Sequence, residues 1–213
     1  MMKRIFTTIS VCLLLAVAAS GQKPNWGLAH PQPAAEIPQG KAEVIWPAKK
    51  DAVLPQGAVL PEKGENGVYT FTGQGWELAP ASVATAGGAA LFGRQTATPG
   101  WYRATVPGTV LTTLVDCGVF PDPYIGLNNL AIPDTLCRRD WWYRTVFDVP
   151  ATERGRVAEL LFEGINYRAE MWLNGRMLGR VDGAFIRGRF DLDGVLKPEG
   201  NVLAVKIVPP PNP

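Results

Sequence analysis

An all-β fold, a sandwich or jelly roll, is what this sequence predicts, on three observations. Short strand-like segments follow one another at residues 69–71, 76–78, 101–106, 141–149, 157–162, 169–173, 187–192 and 202–208, with Gly, Pro and Asn between them. Such close spacing belongs to sandwiches rather than to alternating strands and helices. Asn174-Gly175 divides 169–173 from 176–178, and because both residue types tolerate positive φ, a two-residue hairpin is expected there. Finally, the run Val202-Leu-Ala-Val-Lys-Ile-Val208 is apolar at nearly every position, as in a strand inside a sheet covered on both faces.

In chain order, residues 1–20 read as a secretory signal peptide. Lys3 and Arg4 precede an apolar run from Ile9 to Ala19, and Ala18, Ala19, Ser20 and Gly21 offer a small-residue cleavage point. The run is shorter than the roughly 20 apolar residues of a membrane span, and Cys12 lies inside it rather than after it, unlike a lipoprotein anchor. An exported protein, periplasmic or extracellular, is expected. Without Lys3 and Arg4, basic and acidic side chains balance at 19 each, which argues against nucleic acid or an anionic membrane as partner. Residues 21–65 are rich in Pro, Gly and Ala with no sustained period and read as an extended arm. The only histidine, His30, lies in that arm, so the folded part holds neither a histidine triad nor a histidine zinc site.

The folded domain is expected over 66–208, with the proline-rich 209–213 as the start of a stiff linker. One helix is expected from Thr109 to Cys117, opening after Pro107-Gly108 and closing at Gly118. Residues 117–140 have little strand character and are dense in aromatic and hydroxyl-bonding groups, including Pro121-Asp122-Pro123-Tyr124 and Asn128-Asn129. A loop of that length in a compact domain is more often functional than a mere connection. Cys117 and Cys137 flank it. In an oxidising compartment they can form a disulfide worth about 3 kcal/mol, or remain two free thiols. In Trp141-Trp-Tyr-Arg-Thr-Val-Phe-Asp-Val149 the two-residue period sets Tyr143, Thr145 and Phe147 on one face and Trp142, Arg144 and Asp148 on the other. An exposed indole beside a guanidinium would suit the flat, hydroxylated face of a sugar. The alternative is an indole packed under a loop.

Taken together, Trp101, Pro107-Gly108-Thr109-Val110, Leu114, Gly118, Pro121-Asp122-Pro123-Tyr124, Gly126, Asn128, Trp141-Trp142-Tyr143-Arg144-Thr145, Phe147, Val149-Pro150, Leu161-Phe162-Glu163-Gly164, Trp172, Asn174-Gly175, Gly179, Asn201 and Leu203 form an ordered set. Over about residues 76–209 the chain thereby resembles the N-terminal sugar-binding domain of glycoside hydrolase family 2. The Pro-Asp-Pro-Tyr loop and the Trp-Trp-Tyr-Arg-Thr strand are most similar to the exo-β-glucosaminidase and β-mannosidase branch.

The resemblance implies a jelly roll of the galactose-binding type, followed in such proteins by immunoglobulin-like domains and by a (β/α)₈ barrel carrying both catalytic glutamates. No barrel is expected in this chain. The family's acid/base glutamate normally follows an asparagine, and no Asn-Glu dipeptide occurs here. A retaining glycosidase needs two carboxyl groups about 5 Å apart. The acidic pairs Glu159 and Glu163, Glu170 and Asp182, and Asp191 and Asp193 read as solvated strand and turn residues. No catalytic residue, cofactor or metal is therefore expected.

What the resemblance does imply is that residues 122–129 close the far end of a terminal-sugar subsite. Asn128 or Asn129 would offer amide groups to a β-linked sugar, Tyr124 or Trp142 a ring face, and Asp122 a carboxylate. Against that stands a purely local reading, in which the asparagines cap turns and Asp122 bonds its own backbone. Arg139 and Asp140 are expected to pair and anchor the loop. Two other roles remain open at this point: a free-standing carbohydrate-binding module, and a domain used only for assembly.

Overall fold

The computed structural model describes residues 58–59, 61–84, 91–93 and 100–210. The expected leader, His30, the arm up to residue 57 and the prolyl end at 211–213 lie outside the described residues. Within them the strands are β1 (Glu62–Lys63), β2 (Tyr69–Thr70), β3 (Gly73–Pro80), β4 (Tyr102–Val106), β5 (Trp141–Phe147), β6 (Glu159–Phe162), β7 (Arg168–Leu173), β8 (Arg176–Asp182), β9 (Gly188–Asp191) and β10 (Asn201–Val208). One layer is a six-stranded antiparallel sheet in the order β4-β3-β5-β10-β7-β8, and β6 pairs with β9 in a smaller sheet.

The helix α1 (Val110–Asp116) forms where its end signals place it. The Thr109 hydroxyl accepts from the Thr112 N–H at 3.0 Å, and Gly118 takes φ +70° just past the last turn. The hairpin also forms as expected: Asn174 and Gly175 have φ of +53° and +84° between β7 and β8. Asn174 does more than turn the chain. Its Nδ2 donates to Val195 O and to Asn201 Oδ1, and its Oδ1 accepts from Val202 N. Asn201, fully buried, also bonds the Lys197 backbone through both amide atoms, so the turn, the approach to β10 and β10 itself are knotted together.

The principal core lies between the layers. It combines Trp76, Leu78, Tyr143, Phe147, Met171, Leu173 and Leu203 of the large sheet with Leu160, Leu192 and, from the helix, Leu114. The layers meet closely at Gly179, where an added Cβ would stand 2.7 Å from the Phe190 ring. A second apolar cluster, Ala79, Leu91, Trp101, Trp142 and Ala204, covers the opposite face of the large sheet. All seven residues of β5 and the first five of β10 are consequently buried. The expectation for β10 holds, whereas β5 is enclosed on both sides instead of one.

Strand pairing also reaches residues before 66. Val59 makes a parallel bridge to Phe147, its N–H donating to Val146 O at 2.7 Å, and Glu62–Lys63 pairs with Tyr69–Thr70. A β-branched residue beside an open backbone edge adds a rung to the sheet without any periodicity for the sequence to announce.

Register assigns each loop to an end of the large sheet. Trp141 pairs with Pro80 and Ile207, Val208 pairs with Arg168, and Arg168 pairs with Asp182. One end therefore gathers the approach to β5, the exit from β10 and the loops before β7 and after β8. The hairpin turn at Asn174-Gly175 and the start of β10 lie at the other.

Candidate functional site

On β5, the pair that looked poised for a ligand is enclosed. Trp142 is 8% exposed and belongs to the second apolar cluster. Arg144 is fully buried; its Nη1 donates to Glu77 Oε2 at 2.6 Å, its Nε to Leu91 O at 2.9 Å, and its Nη2 to Gly93 O. Residues 91–93 thus lie over this face, with the Phe92 ring 5.7 Å from that of Trp172. The exposed-indole reading is corrected for that reason: the guanidinium is spent on holding the segment that buries the indole. Burial pushes the Glu77 carboxyl above its ordinary range, with the charge and hydrogen bond of Arg144 working against that rise. Among the described residues Glu77 Oε1 has no hydrogen-bond partner, which is consistent with burial as the leading cause.

The loop between α1 and β5 is different in character. It leaves the helix at Cys117, whose thiol lies 3.4 Å from Arg103 O on β4, and returns at Asp140, which pairs with Lys206 of β10 at 2.8 Å. Asp140 stands at the exit end of the sheet, whereas Arg103 is level with Glu77 and Arg144, the middle of β5. Asp122 Oδ1 accepts from Tyr124 N at 2.9 Å, the aspartate-headed turn of the local reading. Asn128, 2% exposed, donates from Nδ2 to Asp122 O at 2.9 Å and opens the 3₁₀ turn Asn128–Ala131. Asp122 and Asn128 therefore brace the loop from within. What they brace outward is Tyr124, 95% exposed, together with exposed Asn129, Ile125 and Leu130.

Of the five residues singled out in sequence, Tyr124 and Asn129 are exposed, Asp122 and Asn128 shape the loop, and Trp142 is core. An anchoring ion pair exists, but not the expected Arg139–Asp140 one: Asp140 pairs with Lys206, while Arg139 Nε donates to Thr135 O at 3.1 Å. The disulfide is not formed either. Cys117 is buried against β4, where burial raises its thiol pKa, and Cys137 is exposed on the 3₁₀ turn Asp134–Arg138.

The acidic pairs are occupied as surface groups. Glu159 faces Arg189, Glu163 faces Arg187, Glu170 faces Arg180 and Asp182 faces Arg168, while Asp191 accepts from the Asp193 N–H. Among the described residues no three His, Cys, Asp or Glu side chains come together as a metal site. A cavity of about 270 Å³ opens at the far end of the sheet, between Arg154, Arg156, Leu192, Asp193 and Lys197. It has no counterpart in the sequence reading. Its two arginines are closed on Glu199 and Glu153 at 2.8 and 2.6 Å, leaving it no clear charge preference.

A six-stranded antiparallel sheet backed by a smaller one, with a braced polar and aromatic loop at one end, defines a β-sandwich of the galactose-binding type. The chain belongs to the family described as glycosyl hydrolase 2 galactose-binding domain-like, whose model matches residues 82–213. It is 41% identical over 118 residues to a mannosylglycoprotein endo-beta-mannosidase of Lilium longiflorum, and 33% identical over 113 residues to an exo-beta-D-glucosaminidase of Streptomyces avermitilis. These matches cover 53% and 52% of this chain and 12% of each relative, so the chain spans only a small part of their length. Among solved structures it is similar to the beta-D-mannosidase of Dictyoglomus thermophilum, with a TM-score of 0.54, 30% identity and coverage of 66% of this chain and 15% of that one. It is also similar to the exo-chitosanase of Amycolatopsis orientalis, with a TM-score of 0.57, 26% identity and coverage of 67% and 17%.

Proposed function

We propose that this chain is the non-catalytic N-terminal domain of an exported β-glycosidase, and that residues 122–129 form one wall of its terminal-sugar subsite. One observation carries the reading: Asp122 and Asn128 stitch the loop internally so that Tyr124 and Asn129 project from a fixed backbone. A phenol ring and a neighbouring carboxamide suit a hexose, the ring lying on C–H groups and the amide meeting hydroxyls in both donor and acceptor sense. A prepositioned wall discriminates between sugars because a hydroxyl of the wrong configuration leaves buried polar groups unpaired. The mannosidase and glucosaminidase relatives support a β-linked mannose or glucosamine unit as the sugar. The basic and apolar leader at residues 1–20 supports export.

The test uses the intact polypeptide, assayed with aryl β-mannosides and aryl β-glucosaminides. Tyr124→Ala and Asn129→Ala are expected to lower kcat/KM by about 10–100-fold, the loss of one or two sugar contacts, with the thermal midpoint unchanged. The 213-residue chain alone should not turn over either substrate. Turnover by the purified chain, or wild-type kinetics in both variants, would overturn the proposal.

A carbohydrate-binding module acting alone is the second reading, resting on the same exposed Tyr124. It requires the chain by itself to bind chitosan or mannan oligomers in a calorimetric titration.

A further inference from the structure

At the exit end of the sheet a second loop holds an apolar side chain outward with no role in the subsite described above. Phe185, between β8 and β9, is 99% exposed and has φ +61°. An L-residue with a Cβ is disfavoured in that left-handed conformation, and a ring in water returns nothing in packing. Gly183 N donates to Tyr167 O at 3.0 Å, Arg168 pairs with Asp182 at 3.1 Å and Arg187 with Glu163 at 2.8 Å, so both stems are clamped to neighbouring backbone or side chains. Inside the loop, Ile186 presses so closely on Gly183 that an added Cβ would stand 2.5 Å from its Cδ1. Backbone strain kept in place by such a frame is a recurring mark of contact sites, and a preorganised aromatic is the usual anchor of a protein interface.

We propose that Phe185, with half-exposed Ile186 beside it, is the anchor onto which the region following this domain in the same polypeptide docks. Three observations select that occupant. The exit of β10 is adjacent, since Val208 pairs with Arg168 and Arg168 with Asp182, one residue before the loop begins. A following region is therefore tethered beside the anchor at high effective concentration. The relatives carry the matched segment as 12% of their length, so in them most of the polypeptide lies outside the domain. The charged groups around the ring are already paired with one another, which leaves an apolar contact suited to protein and few hydroxyl-bonding groups for a sugar. The inference rests on the reading of this chain as part of a longer glycosidase.

Hydroxyl-radical footprinting tests it, comparing Phe185 oxidation in the intact polypeptide and in the 213-residue chain. Burial of an interface anchor is expected to slow labelling on the order of ten-fold in the intact protein. In Phe185→Ser, labelling of Ile186 in the intact protein should rise to the level of the 213-residue chain, while the melting temperature of that chain stays unchanged. Equal Phe185 labelling in the two proteins overturns the proposal, as does a reading frame that stops at Pro213. Protection of Phe185 that grows with concentration in the 213-residue chain overturns it in favour of self-association. If the intact protein hydrolyses β-glycosides while Phe185 labels as in the shorter chain, docking fails and the glycosidase reading stands. Protection without hydrolysis has the reverse meaning.

Discussion

Replacing Arg144 with methionine isolates the contact on which the covering of the second sheet face depends. The substitution removes a fully buried guanidinium and leaves the Glu77 carboxylate, 3% exposed, without its 2.6 Å partner. Breaking a buried ion pair by removing one member costs about 3–5 kcal/mol. The carbonyls of Leu91 and Gly93 lose a donor as well, at about 1 kcal/mol each. For a chain of this size the ion-pair loss alone lowers the melting temperature by roughly 10 °C. The penalty depends on pH with a definite sign. Burial raises the Glu77 pKa from an ordinary 4.5 and Arg144 opposes that rise, so without Arg144 the folded-state pKa climbs further. A group with a raised folded pKa contributes stability that is fully present below its unfolded pKa and is lost as pH rises through the folded one. The deficit of Arg144→Met is therefore smallest below about pH 4.5 and greatest above the folded pKa. Urea unfolding followed by tryptophan fluorescence across that range measures it. Glu77→Leu combined with Arg144→Met should recover at least ~2 kcal/mol of the neutral-pH loss, because a buried pair replaced by apolar groups is close to neutral. A single-variant loss under ~1 kcal/mol, or a double variant no more stable than the single one, refutes the reasoning.

Asn128→Ala removes the brace to Asp122 O and should cost about 1–2 kcal/mol, with amide exchange of residues 122–130 accelerating while that of β5 does not. Asn174→Ala loses three hydrogen bonds and a residue type that tolerates φ +53°; a loss of about 2–4 kcal/mol is expected in denaturant unfolding, well beyond an ordinary turn substitution. Burial pushes the Tyr143 phenol up to about 12, against the hydrogen bond from Thr113. Its contribution is intact below pH 10 and falls away as pH rises toward 12, at roughly 1.4 kcal/mol per unit. Tyr143→Phe should accordingly flatten the alkaline limb of the stability profile, read by circular dichroism.

Strand order aside, the fold was legible wherever the signal was local. The Asn174-Gly175 hairpin, the Thr109 and Gly118 ends of α1 and the apolar run of β10 each depend on residues a few positions apart. The second face of β5 was not legible, because what covers it comes from residues 91–93, some fifty positions upstream of Arg144, in an Ala- and Gly-rich stretch without periodicity. A guanidinium beside an indole looks the same in sequence whether it faces a ligand or a buried glutamate. Asn128 and Asn129 show the limit more sharply. The two residues are identical and adjacent, and only the phase of a 3₁₀ turn decides that one is buried as a brace while the other faces solvent. The proximity of Cys117 and Cys137 in sequence permitted a bridge that their placement, one inside the fold and one outside, does not make.

The knot that Asn201 ties with Asn174 and Lys197 sits at the pole remote from the loop that carries Phe185, and the loop that carries Tyr124 is held at its stems by Cys117 and Asp140. The segment between those stems becomes a replaceable cassette: its tip can change in sequence while the hub that locks the strands is left untouched.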